Sequence, residues 1–279
     1  MDPLISAAEL ARTLDSVSLF DARSGPDVEA RFAQAHLAGA RHVHLERDLS
    51  DPGLDAAHGG RHPLPSVSQF AATLGRLGIE RGTDVVIYDD KAGANAASRF
   101  WWMLRAAGHE KARVLDGGMA AAITAGVPIE SGPGPEASAT AEPYPFTAWQ
   151  RPTLRVDEFA AAIDDGTQLA IDVRSPARFR GEEDPFDPNP GHAPGTLNVF
   201  YEENLNAEGL FQSAQQLRDK YAELFAGRSA DRVVIQCGSG VTACHTLLAL
   251  ERAGLDGARL YVGSFSEWTR QGRPVTRGQ

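Results

Sequence analysis

The chain has two cysteines, Cys237 and Cys244, and both fall in "QCGSGVTACHT" at 236–246, directly behind the apolar run "RVVIQ". A thiol at a strand end is either a small packed hydrophobe or a nucleophile, and what surrounds its anion decides between them. Gly238 and Gly240 can adopt backbone angles closed to other residues, so the loop through Val241 and Thr242 can turn successive N–H groups inward as an anion nest. "ACHTLLALERAG" then reads as a helix starting near Thr242, whose N-terminal end adds positive potential. Together these features predict a thiolate at Cys237, and a persulfide sulfur there would be held as an anion in the same way. Ser239 lies inside the loop, where its hydroxyl either relays a proton or satisfies local backbone. Cys244, seven positions on, reads as inert packing or a resolving thiol, and His245 as a capping or surface residue. With no CxxC pair and no HxxxH spacing, no metal site is expected.

The elements that would position this loop occur twice. "LFDARSGPDVEARF" (19–32) resembles "AIDVRSPARFRGEE" (170–183), and "HLAGARHV" (36–43) resembles "HAPGTLNV" (192–199). "VVIYDDKAG" (85–93) aligns with "VVIQCGSGV" (233–241), which sets Asp89 where the second copy has Cys237. A period this long indicates a duplicated domain, since solenoid repeats are far shorter. The expected boundaries are a first domain at 1–130, a Pro-, Gly- and Ser-rich linker at 131–152, and a second domain at 153–279. "SLFDAR", "DVVIYD", "ARVLD", "LAIDVR", "RVVIQC" and "ARLYV" read as strands. "SVSQFAATLGRLG", "ASRFWWMLRAAG", "SAQQLRDKYAELFAG" and "VTACHTLLALERAG" show helical spacing. Apolar strands alternating with helices predict an α/β fold, each copy a mainly parallel sheet with helices on both faces. The binding crevice of such a sheet lies beyond the strands' carboxyl ends, which is where Cys237 sits.

Composition narrows the function. With 42% hydrophobic and 23% charged residues, 279 residues suffice for two globular domains. A formal net charge of −10 disfavours nucleic acid or an anionic membrane as partner. The N-terminus lacks the basic start and apolar core of a signal peptide, and no apolar stretch is long enough to span a bilayer. Two cysteines make no disulfide framework, so a reducing cytoplasm is the expected compartment.

On "CGSGVT", "RFWWMLRAAGH", "IDVRS", "GHAPGTLNV" and "GSFSEW", the chain resembles the two-domain sulfurtransferases of the rhodanese superfamily over nearly its whole length, with the active-site loop similar to the 3-mercaptopyruvate branch. The resemblance implies two tandem rhodanese-like domains, the second catalytic and the first lacking its cysteine. It implies a ping-pong reaction: Cys237 takes sulfur from a small-molecule donor as a persulfide, and a thiol such as thioredoxin, or cyanide, removes it. No cofactor beyond that covalent intermediate is implied. It further implies a Ser–His–Asp relay, in which Ser239 is joined by His62 and Asp48 from "RDLSDPGLDAAHGGRHPLP", with His58 and Asp51 as alternatives. A donor carboxylate calls for an arginine fork, and "ARFRG" offers Arg178, which matches the family position, and Arg180. The branch has a second arginine shortly afterwards. Here that stretch is "EEDPFDPNP", with none, so Arg180 or an arginine from the first copy would have to compensate.

Arg23 and Arg174 occur in both copies and are read as fold support, while Trp101, Trp102 and Leu104 are read as packing residues. Thiosulfate, a dianion, is the competing donor. The cysteine's own loop carries no cation for it, which favours a singly charged donor. A cysteine phosphatase would need an arginine six residues past Cys237, where Ala243 stands. A non-enzymatic sulfur carrier is the third reading.

Overall fold

The computed structural model describes residues 2–135 and 142–278; residues 136–141 of the expected linker lie outside them. Two units emerge, the first from Met1–Ser50, Pro65–Gln150 and Ala207–Leu210, the second from Asp51–Leu64, Arg151–Asn206 and Phe211–Gln279.

In the first unit the strands are β1 (Leu4–Ile5), β2 (Ser18–Asp21), β3 (His36–Leu37), β4 (Arg41–His42), β5 (Val85–Tyr88), β6 (Ala112–Leu115) and β7 (Ile129–Glu130). Five of them form a parallel sheet in the order β1-β6-β5-β2-β4, and β3 and β7 make a separate antiparallel pair. Its helices are α1 (Ala7–Thr13), α2 (Val28–Gln34), α3 (Leu45–Asp48), α4 (Val67–Arg76), α5 (Ala97–Ala106) and α6 (Gly118–Thr124). A capping box at Ser66 and Gln69 starts α4 by satisfying otherwise orphaned N–H groups. Helix α5 carries Phe100, Trp101, Trp102 and Leu104, all fully buried or nearly so, each contributing roughly 1.5–3 kcal/mol of apolar burial. The aromatic end of the Pro-rich segment joins this unit, where Trp149 lies against Phe70, Trp102 and Phe146.

The second unit repeats the plan. Its strands are β8 (Thr153–Leu154), β9 (Leu169–Asp172), β10 (Leu197–Asn198), β11 (Val233–Gln236) and β12 (Arg259–Tyr261), all parallel, in the order β8-β12-β11-β9-β10. The helices are α7 (Val156–Asp164), α8 (Pro176–Arg180), α9 (Ala214–Phe225), α10 (Ala243–Arg252) and α11 (Ser264–Arg270). Every strand and helix named from the sequence is present, and β11 holds the central place that β5 holds in the first sheet. A cluster of Phe159, Tyr261, Phe265 and Trp268 forms much of this core. Phe159 stacks on Tyr261 with centroids 4.5 Å apart.

The two "DxR" segments share a set of contacts in the two copies. Arg23 pairs with Asp21 at 2.6 Å and donates to Ala35 O, while Arg174 pairs with Asp172 at 2.7 Å and donates to Gly191 O. The following histidines also match: His36 stacks on Phe32 and bonds its carbonyl, and His192 does the same with Phe179. These buried pairs tie a strand end to the segment after the next helix, as expected of fold support. Among the described residues no helix is long and apolar enough to cross a membrane.

Candidate active site

Cys237 follows directly on β11, buried to 2% exposure. Its N–H donates to Ser264 Oγ at 3.2 Å, and its carbonyl accepts from the Phe265 N–H. Ser264 has a left-handed φ of 52°, an unfavourable conformation for serine, and its hydroxyl also donates to Tyr261 O. The start of α11 thus grips the loop's first peptide. The Ser239 N–H faces Cys237 Sγ at 3.5 Å. Gly240 has φ of 74°, and a methyl group there would lie 2.3 Å from Val262 O, so no other residue fits. Helix α10 begins at Ala243, with Val241 and Thr242 accepting the N–H groups of Cys244 and His245. Cys244 is fully buried, its Sγ donating to Gly240 O.

His245 departs from the surface role expected of it. It is fully buried, stacked on Phe211 at 4.4 Å and edge-on to Tyr201. The helix turn that exposes position 245 to solvent in a lone helix is covered here by the segment around 201–211.

The first copy shows what the equivalent loop holds. Asp89, at the Cys237 position, is fully buried. Its Oδ1 accepts the N–H groups of Lys91 and Gly93 at 2.9 and 2.8 Å, and its Oδ2 those of Asn95 and Ala97 at 3.0 and 3.3 Å. That is an inward-turned nest around an anion, at the end of the central strand. Burial pushes this carboxyl up to about 6 even so.

The segment at 51–64 belongs to the second unit although its flanks belong to the first. It is fastened to α11: the Gly59 N–H donates to Glu267 Oε1, the Arg61 N–H to Ser266 Oγ, and Gln271 Nε2 to Ala57 O. A methyl group on Gly60 would sit 2.3 Å from Gly263 O, which records how closely the two backbones approach. This docking brings His62 Nδ1 to 2.8 Å from Ser239 Oγ. His58 is exposed, and Asp51 Oδ1 accepts the Gly53 N–H. Asp48 lies in the first unit, where its buried carboxylate takes the His44 N–H, Arg47 and Arg76. Burial pushes its carboxyl up, but the Arg47 and His44 hydrogen bonds and the Arg76 charge outweigh this and hold it below the usual range.

Of the two arginines in "ARFRG", Arg178 reaches the loop. A methyl group on Gly238 would be 3.1 Å from Arg178 Nη2, and 3.2 Å from Nη2 of Arg61, a residue the sequence reading did not single out. Arg180 is engaged at the surface by Glu182. The acidic stretch 182–190 turns inward: the side chains of Asp184 and Asp187 are fully buried. Asp184 accepts from Arg174 and Arg178, and Asp187 Oδ1 from Arg61 and Arg270, both at 2.6 Å. Phe186 lies near both guanidiniums, 5.1 Å from Arg61 Cζ and 5.2 Å from that of Arg178. The available signal was two aspartates flanking one aromatic among prolines, a rigid pattern able to hold several arginines.

The rhodanese-like domain family matches residues 6–124 and again 155–271. A Pseudomonas aeruginosa protein provisionally named 3-mercaptopyruvate sulfurtransferase is 39% identical, over 99% of this chain and 98% of its own. A Mycobacterium tuberculosis protein provisionally named thiosulfate sulfurtransferase is 41% identical, over 99% and 97%. The solved 3-mercaptopyruvate sulfurtransferase from Leishmania major superposes with a TM-score of 0.81 at 31% identity, covering 97% of this chain and 75% of that one. Two whole-domain matches, each containing one of the strand–loop–helix units just described, establish that the chain belongs to the rhodanese family.

Proposed function

We propose that the chain is a 3-mercaptopyruvate sulfurtransferase working through a persulfide on Cys237. The observation that carries this reading is the loop after β11: a buried sulfur faced by a backbone N–H, in the register where the sister loop turns four N–H groups onto a carboxylate. The Cys237 thiolate attacks the donor sulfur. An S–S bond forms, the C–S bond breaks, and its electron pair leaves on the carbon as pyruvate enolate, which takes up a proton. An acceptor thiol, such as that of thioredoxin, or cyanide then attacks the outer sulfur and returns the Cys237 thiolate. The reaction needs a free thiol, so a reducing compartment suits it, and both cysteines are free.

The Ser239–His62 pair is the proton source for the enolate, Ser239 donating and His62 supplying it. Ser239→Ala and His62→Gln are each expected to lower pyruvate formation by about 10²-fold. Cyanide discharge of preloaded persulfide should be little changed. Wild-type rates of pyruvate release from both variants would remove the relay.

Thiosulfate is the second reading, favoured by the two guanidiniums over Gly238 and by the name of the M. tuberculosis relative. The arginine cluster weighs against it. With Arg174 matched by Asp172, the guanidiniums of Arg61, Arg178 and Arg270 face the carboxylates of Asp184 and Asp187, which leaves a single positive charge for the donor. The test compares kcat/KM for the two donors on one preparation. Mercaptopyruvate should be preferred at least about tenfold, or 1.4 kcal/mol of transition-state binding; preference for thiosulfate reverses the assignment.

A further inference from the structure

We infer that Arg61 is a specificity-determining residue that, with Arg178, clamps the anionic group of the sulfur donor. The inference rests on the donor reading above but concerns a different residue set. Stretch 182–190 contains no arginine to accompany Arg178. In its place the structure brings a guanidinium from 126 positions away in the chain, held to Asp187 Oδ1 at 2.6 Å. Both guanidiniums stand over the Cα of Gly238, the residue after the nucleophile, within 3.1–3.3 Å of where a side chain would begin. Any residue but glycine would push them aside.

Three further features fit a binding role. The hydrogen bonding of the cluster is not saturated, since the buried Arg178 Nε and Asp187 Oδ2 have no hydrogen-bond partner among the described residues. Asp187 is shared by Arg61 and Arg270 through the same oxygen, so it orients Arg61 without consuming its whole fork. Arg61 also sits next to His62, so the docking of one segment on α11 sets both the guanidinium and the imidazole against the loop. A surface arginine paired only for stability would need none of this convergence. Planar guanidiniums can take a carboxylate through two parallel N–H bonds, and a lysine at the same place cannot reproduce that geometry.

The test measures steady-state kinetics of the full chain with mercaptopyruvate for wild type, Arg61→Ala, Arg61→Lys and the exposed control Arg155→Ala. Arg61→Ala should raise KM by about 10- to 100-fold with kcat changed less than about threefold, the pattern of lost uniform binding. Arg61→Lys should recover only part of that, and Arg155→Ala should match wild type. Pyruvate, which retains the carboxylate, should weaken as a product inhibitor in parallel with KM. Should Arg61→Ala fold poorly by circular dichroism, Arg61→Gln replaces it and the same split decides. Unchanged KM and pyruvate inhibition in an active Arg61 variant overturns the clamp. If wild type turns over thiosulfate alone, the donor reading falls, and the KM of Arg61→Ala for thiosulfate then decides the clamp by itself.

Discussion

Replacing Cys237 with serine is expected to lower sulfur transfer by at least about 10⁴-fold, while Cys244→Ser keeps most of the activity. A serine hydroxyl fits the space and keeps the loop's hydrogen bonds, so folding should survive. It forms no sulfur–sulfur bond, and the ping-pong cycle stops before its first product. Cys244 is seven residues on in the same loop–helix unit, but its sulfur is sealed inside α10 against Gly240 O. Serine there can donate to the same carbonyl, so the loop should keep its shape. Mass spectrometry of donor-treated protein checks both halves: one added sulfur atom on the wild type and on Cys244→Ser, none on Cys237→Ser. Equal turnover by wild type and Cys237→Ser would sink the mechanism, and sulfur found on Cys244 would relocate it.

Asp89→Ala should strongly destabilise the first unit, costing about 3–5 kcal/mol at acid pH. It strands four backbone N–H groups, each worth about 1–3 kcal/mol if left bare, less what water and loop relaxation recover. The cost should depend on pH in a definite direction. The folded carboxyl titrates at about 6, above an ordinary aspartate, so between those values the folded chain holds a proton that the unfolded chain has released. Its contribution to stability is therefore full below about pH 4 and is lost as pH rises through 6. By the pKa difference this loss is at most about 3 kcal/mol. Urea unfolding of wild type and variant at pH 4.5 and 7.5 should show the gap between them narrowing at the higher pH. A gap that widens would mean that the N–H groups outweigh burial and hold Asp89 as an anion throughout.

The same loop thus serves two ends. In the first copy it closes around the side chain of Asp89, whose two oxygens take four backbone N–H groups. In the second, shorter between strand and helix, it holds the buried Cys237 sulfur facing a backbone N–H, which under the proposed mechanism accepts and returns a second sulfur atom. A nest closed on its own side chain has no N–H groups left for a ligand, which is why one copy can be structural and the other chemical.

Features set by near neighbours along the chain were legible before any coordinates. Strand β11, the glycines of the loop and helix α10 are contiguous, so hydrophobic period and backbone freedom suffice to place Cys237 at the mouth of a loop between strand and helix. The duplication was legible because Asp21–Arg23 and Asp172–Arg174 sit in matching patterns whose contacts are local. The rest depended on how the chain folds back on itself. His62 reaches Ser239 across 177 positions because segment 51–64 docks on α11 through backbone and side-chain contacts that no local pattern announces. In sequence the run "EEDPFDPNP" shows only that it is acidic, Pro-rich and without arginine; the fold buries its aspartates against Arg61, Arg174, Arg178 and Arg270. His245 becomes a core residue because Phe211 and Tyr201 cover it. Charge pairing and burial depend on distances in space, and a chain that folds back on itself sets those distances between residues whose separation in sequence says nothing about them.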